Sequence, residues 1–99
     1  MAGQTYLFIG RIPVAGIDDY QQFIASVFPL IITYGGTLER RFASADSTVE
    51  LFFVSFPTAD QFEELQSSAH IDAAAPLLYR SGAHFEVIPV ATDAAIQLS

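Results

Sequence analysis

Two histidines, four arginines and four tyrosines are the side chains of this chain best equipped for chemistry. His70 follows Ser67-Ser68-Ala69, a stretch that interrupts an apolar helical pattern. At such a break the ring can point into a cleft beneath the helices, where a neutral imidazole serves as acid, base or ligand near neutral pH. The plainer role for the same residue is to cap a helix end or stand in solvent. His84 and Glu86 fall on one face of a strand candidate, but a metal would need a third converging ligand such as Asp72. His-x-Glu alone is a pattern of low specificity. No metal and no cofactor is therefore expected, and His84 reads as a surface edge residue.

Arg40 and Arg41 are consecutive in a strand candidate, so they point to opposite faces and at most one addresses a given cavity. Arg11, after the first strand, is equally open to a ligand or an ion pair with one of the eleven acidic residues. Tyr6, Tyr20, Tyr34 and Tyr79 can line a cleft for an aromatic ligand, their hydroxyls fixing its orientation. The competing role is core packing with a satisfied hydroxyl, above all for Tyr20 on a helical stripe. Nucleophilic catalysis has no support: the chain contains neither cysteine nor lysine, and no Gly-x-Ser-x-Gly elbow. Gly35-Gly36 precedes a strand rather than a helix, so it is not a phosphate loop.

The elements that must position these groups alternate between the two periods of secondary structure. Tyr6 to Gly10 is a strand candidate that Pro13 and Gly16 terminate. Asp18 and Asp19 acidify a helix start, and Ile17, Tyr20, Ile24, Val27 and Ile31 form its buried stripe. Pro29 is expected to kink or divide this helix, and Tyr34-Gly35-Gly36 to end it. Thr37 to Ala43 is a charged edge strand, and Ser44 to Thr48 a hairpin turn. Val49 to Phe56 is apolar at the centre of both faces and belongs inside the sheet. Thr58 with Gln61 forms a capping box for a second helix whose Ala59, Phe62 and Leu65 face inward. Ser67-Ser68 interrupts it, and Ile71, Ala74, Ala75 and Leu78 suggest a further turn or two, bent near Pro76 and stopped by Gly82. Ala83 to Val90 is the last strand.

The order β-α-β-β-α-β, with right-handed crossovers, is the α+β ferredoxin-like plait: a four-stranded antiparallel sheet with helices on one face and the first and third strands central. Residues 1–99 read as one domain, with 91–99 a C-terminal tail that forms a short helix or docks on a partner. The open sheet face needs a cover that nine residues cannot supply. A homodimer through that face is the expectation, giving a dimeric α+β barrel. Hydrophobic residues make up 52% and charged residues only 15%, which agrees with surface hidden by association. A net charge of −7 excludes nucleic acid as a partner and disfavours an anionic membrane surface. With no basic leader at the start and no apolar run of spanning length, the expected location is cytoplasmic.

Tyr34-Gly35-Gly36, Arg41, Phe56-Pro57-Thr58 and Ser68 together resemble small proteins of the dimeric α+β barrel superfamily, most closely the domain-of-unknown-function 1330 family. The resemblance covers nearly the whole chain through short, mostly structural motifs. It implies a cleft between helices and sheet that binds a small apolar or aromatic molecule. Arg41 matches the family's strand arginine and is the preferred anion or carboxylate contact, with an inter-subunit or intra-sheet salt bridge to one of the eleven acids at least as strong an expectation. Thr37 stands where the family often has an arginine, and Leu65, Gln66 and Ile71 where it favours aromatics, so the pocket is reshaped here. A neighbouring branch resembles antibiotic-biosynthesis monooxygenases. It implies the alternative of a cofactor-independent monooxygenase or isomerase, with His70 as base and Arg41 or a tyrosine steadying negative charge. A third reading, association alone, needs no pocket.

Overall fold

Side-chain parity along the central strands decides the architecture. In the computed structural model, which describes residues 3–91, the strands are β1 (Gln4–Arg11), β2 (Thr37–Ala43), β3 (Val49–Phe56) and β4 (His84–Val90). They form one antiparallel sheet in the order β2-β3-β1-β4, so β1 and β3 are central. The helices are α1 (Ile17–Thr33), α2 (Ala59–Gln66) and α3 (Ala69–Ser81), with a single 3-10 turn at Val14–Gly16. The chain is an α+β ferredoxin-like plait.

One set of alternating residues is buried beneath the helices: Tyr6 and Phe8 on β1, and Glu50, Phe52, Val54 and Phe56 on β3. Against them pack Tyr20, Phe23, Ile24, Val27 and Ile31 of α1, with Phe62 and Leu65 of α2. Phe8 and Phe52 stack at 4.9 Å between ring centroids, and Phe28 meets Phe52 edge-on at 5.4 Å. The opposite set, Leu7 and Ile9 on β1 with Leu51, Phe53 and Ser55 on β3, is only half-buried. Those residues form the open face. The molecule is therefore a slab with extents of 41 × 34 × 16 Å, one sheet under one helical layer.

Local chemistry sets the element boundaries. Gly35 takes φ +87°, and the Gly36 and Gly35 amides donate to the Ile31 and Ile32 carbonyls, a Schellman stop for α1. Pro29 does not divide α1, contrary to one expectation from the sequence. Both it and Pro76 of α3 are exposed, so the carbonyl each leaves without a donor can bond water. Ser68 caps α3 by accepting the Ile71 amide at 3.2 Å, and the helix runs thirteen residues, longer than the turn or two expected. Thr58 accepts the Gln61 amide and caps α2, whereas Ala59, expected inward, is exposed in the first turn. Of the tail at 91–99, residues 92–99 lie outside the described residues.

Candidate functional site

Two clefts lie between α1 and the sheet. The first lies between the helices and the sheet, has a volume of about 210 Å³, and is walled by Phe8, Phe23, Leu65, Ile71, Phe85 and other aliphatic or aromatic side chains. Gln66 is its one polar liner. This cavity exists because α2 and α3 meet at a break: α2 contributes Phe62 and Leu65, and α3 re-enters with Ile71 and Leu78. With no ionisable side chain among its liners, it can hold an apolar body but cannot move a proton.

The second cleft, of about 220 Å³, lies between α1 and the β2–β3 hairpin and is polar at its floor. Glu50, only 3% exposed, is a carboxylate on the helix-covered face of a central strand. Such a charge must be paired and hydrogen-bonded to be tolerated. The Tyr20 hydroxyl donates to Glu50 Oε1 at 2.8 Å. Arg41 donates to Oε2 from Nε and Nη2, each at 2.5 Å, while its guanidinium lies 4.9 Å above the Phe28 ring. Gly10 makes room for this arrangement, since a Cβ there would sit 2.7 Å from the Tyr20 hydroxyl oxygen.

A β-bulge aims the arginine. Thr37 pairs with Ser55 and Leu38 with Val54, but Arg40 then pairs with Phe53 and Arg41 with Phe52. Glu39 is the extra residue, held on the open face by the Ser55 hydroxyl at 2.6 Å. Strict alternation from Thr37 would have sent Arg40 toward the helices and Arg41 to the open face. The inserted residue reverses this parity, and Arg41 meets Glu50.

Burial pushes the Tyr20 hydroxyl well above its ordinary value of 10.0; accepting carboxylate Glu50 pushes the same way and Arg41 partly offsets it. A raised acid of this kind contributes stability that is fully present below pH about 10 and is lost as the pH rises beyond it. Urea unfolding of the native chain is thus expected to weaken more steeply above that pH than unfolding of Tyr20→Phe. Equal slopes for the two proteins would remove Tyr20 as the cause.

The sequence-derived candidates do not converge. Arg41 sits in the polar cleft, 40% exposed at its side chain. Tyr6 is buried in the core, stacked on Phe62 at 3.9 Å, its pKa raised by burial and then by the Glu63 carboxylate. Tyr34 is half-buried at the end of α1 and lines neither cleft. Tyr79 is 85% exposed. His70 is exposed on α3 and borders a shallow groove with Ser26, Leu30 and Ala73, outside both clefts. Arg11 pairs with Glu86 at 3.5 Å on the open face, opposite His84. Among the described residues no three histidine or acidic side chains gather to hold a metal. Glu50, the centre of the polar cluster, was missed as a site residue, although its parity with Phe52, Val54 and Phe56 marked it as buried.

Solved structures share this fold at low sequence identity. SnoaB, a cofactor-independent oxygenase from Streptomyces nogalater, matches with a TM-score of 0.69 at 12% identity, over 92% of this chain and 93% of that one. An uncharacterized NIPSNAP domain protein from Burkholderia xenovorans gives 0.67 at 15% identity, over 89% of this chain and 92% of the other. A conserved protein of unknown function from Bacteroides thetaiotaomicron gives 0.66 at 12% identity, over 90% and 96% respectively. The chain thus has the small α+β barrel-type fold found among monooxygenase-like and NIPSNAP proteins. No family model matches the sequence, and no curated protein matches it.

Proposed function

We propose that this is a small-molecule-binding protein whose apolar cavity takes a compact apolar or aromatic ligand, and which acts as a homodimer through its open sheet face. The observation that carries the reading is the 210 Å³ cavity, walled by Phe, Leu, Ile and Val side chains with Gln66 as the single polar liner. Such a lining offers burial and shape without acid–base chemistry. The catalytic alternative requires His70 and a tyrosine hydroxyl in one cavity, and His70 lies outside it. The Tyr34-Gly35-Gly36, Arg41 and Phe56-Pro57-Thr58 motifs support a kinship with the domain-of-unknown-function 1330 proteins. A cytoplasmic, single-domain protein is the simplest setting for it; no helix among the described residues is long and apolar enough to cross a membrane.

Toluene tests the cavity. Methyl resonances of Val27, Leu65 and Ile71 are expected to shift and saturate on titration, and Val87→Phe, which fills the space, to weaken binding at least tenfold. Unchanged methyls, or full binding by Val87→Phe, would reject the cavity as the site.

The dimer rests on Leu7, Ile9, Leu51 and Phe53, apolar and half-buried on a face that no described helix covers. Sedimentation at micromolar concentration is expected to give twice the 10.8 kDa chain mass, and Phe53→Arg to give the monomer. A native chain sedimenting at 10.8 kDa would exclude the dimer.

A further inference from the structure

The polar cleft beside the β2–β3 hairpin has a feature that the apolar cavity lacks: a cation held rigid with part of its hydrogen-bonding capacity unspent. Arg41 uses one edge of its guanidinium, Nε and Nη2, on Glu50 Oε2. The Phe28 ring lies 4.9 Å from its Cζ and fixes the plane. Glu50 itself is anchored from behind by the Tyr20 hydroxyl at 2.8 Å. A guanidinium carries five N–H donors, and the end formed by Nη1 with the outer Nη2 hydrogen is a parallel fork. Among the described residues Arg41 makes no hydrogen bond other than those to Glu50. The side chain is 40% exposed and lines the cleft, whose walls also carry the polar side chains of Gln21 and Ser47.

We infer that this cleft binds an organic carboxylate, its two oxygens meeting the free Nη1/Nη2 fork of Arg41 and its apolar body resting on Ile12 and Ala43. The geometry selects the ligand class. A planar two-oxygen anion matches a planar two-donor fork, and an arginine already ordered by Glu50 and Phe28 loses little freedom on binding. The overall charge of −7 opposes any anion at long range. A bare inorganic anion has nothing to set against that repulsion, whereas an organic acid also buries surface on the aliphatic wall. Glu50 does not repel the ligand as a free carboxylate would, because both of its oxygens are engaged and its charge is met by the same guanidinium. This site is independent of the apolar cavity, and neither reading depends on the other.

Benzoate is the probe, benzyl alcohol the neutral control, and the full chain at low salt the target, since screening weakens the charge term. Saturable shifts at the Arg41 Nε–H and the Gln21 side-chain amide are expected with benzoate, and at least tenfold weaker binding of benzyl alcohol. Arg41→Lys keeps the charge but loses the fork, and is expected to weaken benzoate at least tenfold. Ala43→Leu fills the cleft and leaves the Arg41–Glu50 pair in place, so it decides the matter even if Arg41→Lys does not fold; the same tenfold loss is expected. The inference is overturned by any of four results: no saturation at millimolar benzoate, undiminished binding by Ala43→Leu, equal binding of benzyl alcohol, or shifts confined to Leu65 and Ile71 in the apolar cavity.

Discussion

Phe52→Ala is expected to cost about 3–5 kcal/mol, the range for truncating a buried phenylalanine in a close-packed core. Phe52 is 0% exposed and touches aromatic rings on three elements: Phe8 of β1, Phe28 of α1 and Phe85 of β4. No neighbour can collapse into the space without dragging a strand or helix with it. Set against a total of about 5–15 kcal/mol for a typical domain, the variant sits near the edge of folding. Its neighbour supplies the control. Phe53 is half-buried on the open face, so Phe53→Ala removes few contacts within the chain. In a homodimer through that face its cost depends on protein concentration, whereas the cost of Phe52→Ala keeps its large intrachain part at every concentration. Urea unfolding at two concentrations separates them, and equal, small costs for both would contradict the assigned parity of β3.

Parity is also why so much of the fold was legible. Leu51, Phe53 and Ser55 alternate with Phe52, Val54 and Phe56, and two apolar sets on one strand require a central position whatever covers them. The helix stops were equally local, since Gly35 and Gly82 occupy left-handed conformations that need no tertiary partner to explain. Which face the helices cover was not legible from the apolar residues, because both sets are hydrophobic. The one polar member of the covered set is Glu50, near the start of β3, where an acid reads as well for a solvent-facing strand end as for a buried, paired carboxylate.

The site residues were harder for two physical reasons. On α3 the inward stripe is Ile71, Ala74 and Leu78, and a helix turns about 100° per residue. His70 and Tyr79 each stand one position off that stripe and so turn away from the cavity; the periodicity contained this, whereas the reactivity of a side chain carries no sign of the face it occupies. Arg41 is different. Its placement depends on the bulge at Glu39, and a one-residue insertion in a strand leaves no mark in hydrophobic alternation when every residue of that strand is exposed.

Glu50→Leu is expected to cost about 2–4 kcal/mol, and the apportioning of that cost tests the polar cluster. The larger share comes from Tyr20, whose buried hydroxyl loses its acceptor, at about 1–3 kcal/mol for an unsatisfied group. Arg41 adds about 1 kcal/mol or less, because a guanidinium 40% exposed recovers solvation when its partner is lost. Tyr20→Phe alone is expected to cost about 1 kcal/mol, the net worth of one hydrogen bond. Made on the Glu50→Leu background, the same change removes an orphaned hydroxyl instead of a satisfied one, and so is expected to be neutral or stabilising. The double-mutant cycle then yields a coupling of about 1–2 kcal/mol. Simple additivity would mean that Tyr20 and Glu50 do not interact in solution, and the anchor that orders Arg41 would be gone with it. The two single variants also divide stability from recognition. Tyr20→Phe removes the anchor behind Glu50 but keeps the Arg41–Glu50 pair, and is expected to weaken benzoate less than Glu50→Leu, which releases the guanidinium and loses the orientation of its fork.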